Sequence, residues 1–555
     1  MDTKFDPKKK MDDLPLAIAL PLVALAIVIG LYFCLAGRGN VHLFGDEFHS
    51  IWHLNQSYGD ILKIYDAHGS GVALPLIQRF AVDIMGPGLW AYRLPAILGA
   101  IATLLVIYPA ASCMVGRVPA VLTALSLSTN SLFLFYCGFG RSYLLALFLA
   151  IVMAYATVMT LANARPKPWW HAVLAISSGL LPYVHLTTVA FVVGIGMTVI
   201  VCNLIMKRYR DLAWLTGSLA VGATICFLLY IPAWDGLWNF IHNKTGKGEV
   251  EHFAAFDVLD LLTGNRVITM IWTITIPIAI AGLALARRRS GSILAFAVLV
   301  PVIALVVTQP AGMTYAYARY LLPALPFMIM LTFWLFVEII RLTRLPTPAV
   351  HAVSLVLGIS LIAISFWAGP RGAEHTNDGP FANTYIGMMP LPAFDVPWDG
   401  TPKFYKQLAE IDGPVRIIEV PELRSRAVIL YRNYYLQHKK DVLIGMTMAL
   451  KPNAEVPAGP YIPMKSAQPI LDSGADYLII HLNVDRELNW YWNFVYNQAW
   501  PKMKDPNIES LMIRQKKYLK TLVPMDTIAQ YAIQALGQPI YKDHDILVWK
   551  LKPEH

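Results

Sequence analysis

Long apolar runs dominate the first two thirds of the chain, and short polar or basic stretches separate one run from the next. Most runs hold about 18 to 25 residues, the length that a helix needs to cross the hydrocarbon core of a bilayer. The runs lie near residues 14–36, 94–113, 118–137, 142–163, 170–184, 186–206, 212–232, 267–286, 292–309, 320–340 and 348–368. The pattern predicts a polytopic α-helical membrane protein with about eleven transmembrane helices.

Two of these spans come from one apolar stretch of 36 residues, 171–206. A stretch of that length is too long for a single untilted helix. The segment LPYVHLTT lies inside it and contains Pro182 and His185. We expect this segment to break the stretch into two spans, with His185 at the outer turn.

The basic residues between the runs indicate the orientation of the spans. They cluster at Lys8, Lys9 and Lys10; Arg165 and Lys167; Lys207, Arg208 and Arg210; Arg287, Arg288 and Arg289; and Arg341 and Arg344. Cytoplasmic loops carry such an excess of Lys and Arg. Eleven spans from a cytoplasmic N-terminus therefore place residues 37–93 and everything after about 369 on the outer face. The net charge of +9 reports this topology and does not indicate a nucleic-acid partner.

The first outer loop, residues 37–93, shows a one-sided apolar pattern. Phe48, Ile51 and Trp52 have helical spacing, and the pattern recurs from Leu76 to Ile84. Such helices lie in the plane of the membrane interface or pack on the protein. The sequence leaves both arrangements open.

The composition changes after residue 368. A polar linker, GPRGAEHTNDGP, precedes predicted strands at 417–420, 441–446, 476–482 and 545–551 and predicted helices at 421–438 and 508–535. Alternating strands and helices predict a soluble α/β domain. We therefore divide the chain into a transmembrane domain, 1–368, and an extracytoplasmic α/β domain, 369–555.

The five cysteines are Cys34, Cys113, Cys137, Cys202 and Cys226. All lie in or beside apolar runs, and their spacing shows neither a disulfide framework nor a metal motif. We expect each to fill apolar space as a small side chain.

Two adjacent carboxylates, Asp46 and Glu47, follow the first span directly in LFGDEFHS. Ionised carboxylates close to hydrocarbon are costly and usually functional. One that faces a substrate hydroxyl can act as a general base. Outward cations accompany them at Arg79, Arg93, Arg141, Arg266 and Arg319. If these arginines converge, they suit a phosphate at the membrane surface.

These residues resemble the motifs of the GT-C glycosyltransferases, in particular the bacterial relatives of the dolichyl-phosphate-mannose protein mannosyltransferases and of the aminoarabinose transferases acting on lipid A. That family carries an Asp-Glu pair after the first span, matched by Asp46 and Glu47. A His followed by Pro and Leu comes next, where this chain has His68 in HGSGVALPL. An Arg-Leu-Pro then precedes the second span, matched from Arg93.

Three later segments extend the resemblance to roughly residues 14–340. FYCGFGRSY aligns with Tyr-Ser-Gln-Glu-Ala-Arg-x-Tyr of the family, with Phe139 in place of its Glu. YVHLTT and ARYLLPALP align with two further motifs. The matching residues are Arg141, Tyr143, His185, Arg319 and Tyr320.

The resemblance implies an inverting glycosyltransferase that moves a sugar from a polyprenyl-phosphate donor to a glycan, lipid or protein acceptor on the outer face. It implies Asp46 as the catalytic base and Glu47 as a supporting or acceptor-orienting carboxylate. The implied donor-phosphate and lipid-binding residues are Arg93, Arg141, Arg266, Arg319, Tyr143 and Tyr320, with His68 and His185 as further candidates. Glu47, His68 and His185 leave a divalent-cation site open, and no other cofactor is implied. A bacterial inner membrane, with the site on its periplasmic side, is the expected location.

Other functions stay open at this stage. A lipid or glycan transporter or flippase would also have many spans, but the chain shows no internal repeat and places its charges at span ends. Another lipid-handling transferase is a second alternative. A binding module is a third, in which the α/β domain recognises glycans above a membrane anchor. The sequence leaves the sugar, the acceptor and the polyprenyl length open.

Overall fold

The computed structural model describes much of the chain, in two compact units. The described residues are 14–35, 47–51, 53–54, 56–65, 71–86, 88–162, 167–244, 255–285, 289–308, 314–367, 400–421, 430–431, 434, 437–438, 440–443, 468–494 and 524–552. Unit 1 comprises Met1–Ala36, Lys63–Ala73 and Pro95–Met389, and unit 2 comprises Gly37–Leu62, Leu74–Leu94 and Pro390–His555. The predicted domain boundary at 368 and 369 lies outside the described residues and stays a prediction.

Helices account for nearly all of the described chain before residue 367. The first nine are α1 (Leu16–Leu35), α2 (Phe48–Ile51), α3 (Tyr58–Ile61), α4 (Ala73–Met85), α5 (Leu89–Val115), α6 (Arg117–Ser128), α7 (Ser131–Cys137), α8 (Tyr143–Ala162) and α9 (Pro168–Val184). The next nine are α10 (Val189–Ile205), α11 (Tyr209–Tyr230), α12 (Trp234–Lys244), α13 (Ala255–Thr263), α14 (Arg266–Leu285), α15 (Arg289–Thr308), α16 (Thr314–Leu321), α17 (Leu325–Arg341) and α18 (Thr347–Phe366). Short 3₁₀ turns follow α9, α11 and α16.

Nine helices among the described residues are long and apolar enough to cross a membrane. The predicted third span is a bent pair, α6 and α7, which meet at 56° and would make a tenth. The predicted fifth span is α9, a helix of 17 residues. The prediction of a polytopic α-helical membrane protein is confirmed, with the break after His185 where LPYVHLTT predicts it.

Polar side chains cause the bend between α6 and α7. The hydroxyls of Ser128 and Thr129 both donate to the carbonyl of Leu125, at 2.8 and 3.0 Å. Asn130 then caps the new helix, because its side-chain oxygen accepts the N–H of Phe133 at 3.0 Å. Such side chains form hydrogen bonds with backbone groups in place of the regular helical ones, and the helix ends there.

In unit 2, the first outer loop forms the predicted amphipathic helices α2 and α4. Phe80 and Ile84 on α4 are 59% and 68% exposed. At the end of α4, a Cβ placed on Gly86 would lie 3.7 Å from the guanidinium of Arg416 on β1. This loop therefore packs with the C-terminal region within unit 2, while α4 leaves an apolar face open.

The C-terminal part of unit 2 is an α/β fold, as predicted. Its strands are β1 (Arg416–Val420), β2 (Asp441–Leu443), β3 (Tyr477–His481), β4 (Tyr541–Lys542) and β5 (Ile546–Lys550). The described helices are α19 (Lys403–Glu410), α20 (Gln468–Leu471), α21 (Val484–Phe494) and α22 (Met525–Leu536). The sheet order is β2-β1-β3-β5-β4, with β1, β2 and β3 parallel and β5 antiparallel to both neighbours. Residues 444–446 and 508–523 of the predicted elements, and most of 421–438, lie outside the described residues.

The two faces of this sheet differ in chemistry. Alternate residues point to opposite faces of a strand. Ile418 and Ile480 belong to an apolar core with Trp549 and α22. Glu419 and His481 alternate with them and are buried as well. The second face is thus also buried and includes two polar side chains among apolar ones such as Ile417 and Ile479.

Candidate active site

Arg141 lies in the turn that joins α7 to α8. The capping residue Asn130 fixes the start of α7, and its amide nitrogen also donates to the carbonyl of Leu262 at 2.8 Å. After α7 ends at Cys137, residues 138–142 turn the chain into α8. The Arg141 side chain is only 3% exposed. The turn therefore holds a buried cation at one end of the helices of unit 1.

The turn between α9 and α10 carries His185. Its backbone is extended, with φ −154° and ψ 108°. The hydroxyl of Thr187 lies 2.8 Å from its Nδ1 atom, and the hydroxyl of Thr188 donates to its carbonyl at 2.7 Å. The His185 ring packs against Tyr143, at the start of α8, with 4.8 Å between ring centroids. Two segments of the predicted site therefore meet.

Arg319 and Tyr320, at the end of α16, complete the group. The guanidinium of Arg319 lies 5.8 Å from the ring centre of Tyr143 and 5.2 Å from that of Tyr320. The Tyr320 and His185 rings are 5.9 Å apart. We call Arg141, Tyr143, His185, Arg319 and Tyr320 the cationic cluster. The sequence predicted all five, and the structure brings them together from three separate segments.

The electrostatic potential at His185 is positive. Burial, and then the charges of Arg141 and Arg319, lower the pKa of its imidazole to about 3. The ring is therefore neutral at physiological pH. Burial disfavours a charge of either sign, whereas the two arginines disfavour only a cation and would attract an anion.

Glu47 and Arg93 form a buried ion pair within unit 2. Arg93 Nε and Nη2 donate to the two carboxylate oxygens of Glu47 at 3.0 and 3.1 Å. Glu47 is 0% and Arg93 1% exposed. The pair joins the start of α2 to the first turn of α5. The sequence predicted that Arg93 binds the donor phosphate. In the structure, the Glu47 carboxylate matches the charge of Arg93.

The remaining predicted site residues fall into two groups. Asp46 and His68 lie outside the described residues. Arg266 donates to Asp260 at 2.6 Å and lies 5.7 Å from the ring centre of Phe256. Its charge is thus matched by a carboxylate. The half-buried Arg79 is paired with Asp83 at 3.0 Å.

A small cleft of about 50 Å³ opens between α6, α14, α17 and α18 in unit 1. Apolar and aromatic side chains line most of it, among them Trp272, Phe333 and Phe366. Hydroxyls of the lining, such as those of Thr332 and Ser365, donate to carbonyls of their own helices at 3.0 and 2.7 Å. Hydroxyls satisfied in this way add little polarity to the cleft.

Solved structures of membrane enzymes are similar to this chain. ArnT from Cupriavidus metallidurans bound to undecaprenyl phosphate is 12% identical, with 97% of this chain and 99% of that chain covered and a TM-score of 0.48. The oligosaccharyltransferase AglB from Archaeoglobus fulgidus, in complex with an inhibitory peptide and a dolichol phosphate, is 12% identical, with 84% and 70% covered and a TM-score of 0.42. The arabinofuranosyltransferase AftD from Mycobacteria is 14% identical, with 85% and 35% covered and a TM-score of 0.40.

The likeness is one of fold. Neither a family model nor a curated protein matches the chain. The chemistry of the site therefore rests on its own residues.

A metal site at Glu47, His68 and His185 stays a prediction, because His68 lies outside the described residues. Within the part of the chain that the structure describes, no three His, Cys, Asp or Glu side chains are grouped to hold a metal ion. The described residues therefore offer no group of metal ligands that would support a cation site.

A disulfide between Cys34 and Cys137 is one feature that the sequence analysis missed. Their Cα atoms lie 5.4 Å apart. The expectation that both are mere apolar fillers is wrong. The signal was present in the topology, since each residue ends an outward-running span.

A buried polar group in unit 2 is the second missed feature. The Tyr405 hydroxyl donates to Glu419 at 2.6 Å and lies 3.0 Å from His481 Nε2. His481 Nδ1 lies 3.1 Å from Glu487, which accepts the Tyr434 hydroxyl at 2.5 Å. We call these five residues the acid–histidine cluster. Neither carboxylate carries a sequence motif, because the register of β1 and β3 brings Glu419 near His481 and the helix α21 supplies Glu487.

Proposed function

We propose that this chain is an inverting glycosyltransferase that takes a sugar from a polyprenyl-phosphate donor and transfers it to an acceptor on the outer face of the membrane. The observation that carries the proposal is the cationic cluster. In it, two arginines surround a neutral histidine at the turns that the predicted topology places on the outer face. The same proposal places the chain in a bacterial inner membrane. It leaves the identity of the sugar open.

The charge of the leaving group explains why two cations suit this reaction. The donor is a phosphodiester with one negative charge. When the sugar departs, the polyprenyl phosphate carries about −2, as a phosphomonoester does above its second pKa. Arg141 and Arg319 therefore interact more strongly with the leaving group than with the bound donor. Interactions that strengthen toward the transition state are the ones that accelerate a reaction.

Asp46 is proposed as the general base. The acceptor hydroxyl oxygen attacks the anomeric carbon, and its proton passes to the Asp46 carboxylate. The bond between the anomeric carbon and the phosphate oxygen breaks, and its electron pair leaves with the phosphate. One displacement of this kind inverts the anomeric configuration. A positioned base contributes about 10²- to 10⁴-fold to such a step.

The buried Glu47–Arg93 pair supports this role for the neighbouring residue. Glu47, the next residue in the chain, is held by two hydrogen bonds from Arg93. We therefore assign Glu47 and Arg93 a positioning role in the proposed reaction.

The test compares Asp46→Asn with the wild type in two measurements. Mass spectrometry of glycans and lipids from a deletion strain should show a glycoform that wild-type protein restores and Asp46→Asn does not, because the amide cannot accept the proton. Binding of undecaprenyl phosphate by the purified variant should stay within about twofold of wild type, since Asp46 is not assigned to the phosphate. Asp412→Asn, an exposed carboxylate of unit 2, serves as the matched control.

Two outcomes would contradict the proposal. A strain that carries Asp46→Asn and makes the full glycoform would remove Asp46 as the base. A wild-type protein that moves lipid-linked glycan across vesicles, without any new glycosidic bond, would favour the transporter.

A further inference from the structure

The Cys34–Cys137 disulfide joins two helix ends that differ in how firmly they are held. Cys34 is the next-to-last residue of α1, and Cys137 is the last residue of α7; both are fully buried. α1 packs closely on its neighbours, because a Cβ at Gly30 would lie 2.6 Å from Leu104 and 3.2 Å from Ser128. The disulfide thus connects α7 to a helix that is already fixed.

α7 needs such a connection. It has seven residues and meets α6 at 56°. Helices shorter than about 12 residues are not stable by themselves, and the bend removes the support that a continuous helix would give. The Asn130 cap fixes the start of α7. The disulfide fixes its other end.

The end of α7 determines where Arg141 lies. Only the turn 138–142 separates Cys137 from α8, and Arg141 N donates to the carbonyl of Phe139 at 2.6 Å inside that turn. The ring of Tyr136, one residue before Cys137, lies 4.6 Å from the ring of Tyr143. A shift of the last turn of α7 would therefore move both residues of the cationic cluster that this segment supplies.

We propose that the Cys34–Cys137 disulfide is a covalent strap, formed on the outer face, that positions the Arg141 turn for the donor phosphate. The positioning role rests on the proposed function. Forming the Sγ–Sγ bond removes two protons and two electrons from the two thiols. A disulfide-carrying thiol oxidoreductase accepts them by exchange and leaves as a dithiol. Such oxidation is characteristic of extracytoplasmic compartments, so the strap also marks these helix ends as outward.

The first experiment measures the bond itself. Intact cells are treated with N-ethylmaleimide before lysis, and the purified protein is digested without reduction and mapped by mass spectrometry. We expect one cross-linked peptide pair joining Cys34 to Cys137, with Cys113, Cys202 and Cys226 never found in it. Recovery of Cys34 and Cys137 as alkylated thiols would overturn the proposal.

The second experiment measures positioning, with undecaprenyl phosphate as the probe. We expect a Cys34→Ser/Cys137→Ser variant to bind it roughly fivefold more weakly than wild type, since preorganisation of the site is lost. A Cys113→Ser/Cys202→Ser/Cys226→Ser variant keeps the strap and should bind like wild type. A reductant should weaken binding in the triple variant and leave the double variant unchanged. Equal binding by strapped and unstrapped protein would overturn the positioning role.

Hydrogen exchange gives a readout that does not depend on the donor. Backbone amides of residues 138–142 should exchange faster in the double variant and in reduced wild type, while amides of α17, for example Leu331, keep their rates. If wild type binds no undecaprenyl phosphate but this difference persists, the proposed function fails and the strap stands. If the exchange rates of 138–142 are the same with and without the bond, the strap does not position this turn.

Discussion

His185 and His481 are both buried, yet their neighbours move the pKa in opposite directions. At His185, burial is reinforced by Arg141 and Arg319, and the pKa falls to about 3. At His481, burial also favours the neutral ring, but the charge and hydrogen bond of Glu487, together with Glu419, outweigh it and raise the pKa. The same side chain is therefore held neutral in unit 1 and favoured as a cation in unit 2.

The two clusters differ in the signs of the charges that surround each histidine. In the acid–histidine cluster, each carboxylate has a tyrosine hydroxyl and the imidazole within reach, at 2.5 to 3.9 Å. Its charges compensate one another inside the fold. In the cationic cluster, the two arginines act on His185 in the same direction. Two charges of this sign suit the proposed donor phosphate, so we assign the ligand to unit 1.

Glu487→Gln tests the self-compensation of the acid–histidine cluster and should have the largest effect. Breaking a buried ion pair by removing one partner costs about 3–5 kcal/mol. The variant keeps the volume of the side chain but removes the charge that holds His481. Hydrogen exchange of the β3 amides in the full-length protein should report a lower free energy of opening by that amount.

Glu410→Gln is the matched control, because Glu410 is exposed on α19 of the same domain. It should change the opening free energy by less than about 0.5 kcal/mol. Undecaprenyl phosphate binding should be close to wild type in both variants at a temperature where unit 2 stays folded. A large loss of binding in folded Glu487→Gln protein would break the division of roles between the clusters.

The change in the stability of unit 2 with pH should be nearly as large as the effect of Glu487→Gln. Burial raises the pKa of Glu419 from 4.5 to about 7, against the opposing effects of His481 and Tyr405. The folded state thus holds a proton that the unfolded state has lost, so its stabilisation is full below pH 4.5 and is lost as the pH rises toward 7. The raised pKa of His481 acts in the same direction, with a loss that begins near pH 6.5.

Hydrogen exchange of the β3 amides at pH 5 and pH 8, corrected for intrinsic rates, measures this effect. The opening free energy should fall by at most about 3 kcal/mol, because the pKa of Glu419 is raised from 4.5 to about 7 in the folded state. In Glu419→Gln much of the slope should disappear. A free energy that rises with pH would show that the cluster holds its charges differently from the arrangement described.

The sequence predicted the cationic cluster well because its residues carry local signals. Arg141, His185 and Arg319 each interrupt or adjoin an apolar run, where polar residues are rare and usually functional. The span pattern and the strands β1, β3 and β5 were equally visible, since their hydrophobic periods are strong.

Pairings across the chain were not predictable in this way. Glu419 and His481 meet only through the parallel register of β1 and β3. Cys34 and Cys137 are 103 residues apart and lie in apolar surroundings that hide their chemistry. The buried pairing of Arg93 with Glu47 likewise depends on how α2 meets α5. A single sequence states which residues are unusual and leaves open which of them touch.

Arg141→Ala sharpens the comparison from the side of unit 1. Hydrogen bonds to charged groups contribute about 1.5–3 kcal/mol, so the affinity for undecaprenyl phosphate should fall roughly 10- to 100-fold. Arg341→Ala removes an arginine that is already paired with Glu338, at 2.8 Å, and is the matched control. It should leave the affinity unchanged. If Arg141→Ala binds as tightly as this control, Arg141 has no place in a phosphate site.

His185→Gln should have the smallest effect, and its pH profile is the informative part. With a pKa of about 3, the wild-type ring is neutral from pH 5 to pH 8, so one neutral side chain replaces another. Affinities for undecaprenyl phosphate, measured for both proteins at pH 5, 6.5 and 8, should differ by a constant factor below about fivefold. Titration of the phosphate itself cancels in that ratio. A ratio that changes more than threefold between pH 5 and pH 8 would mean that His185 takes up a proton in this range. The arginines would then not impose the positive potential that distinguishes the two clusters.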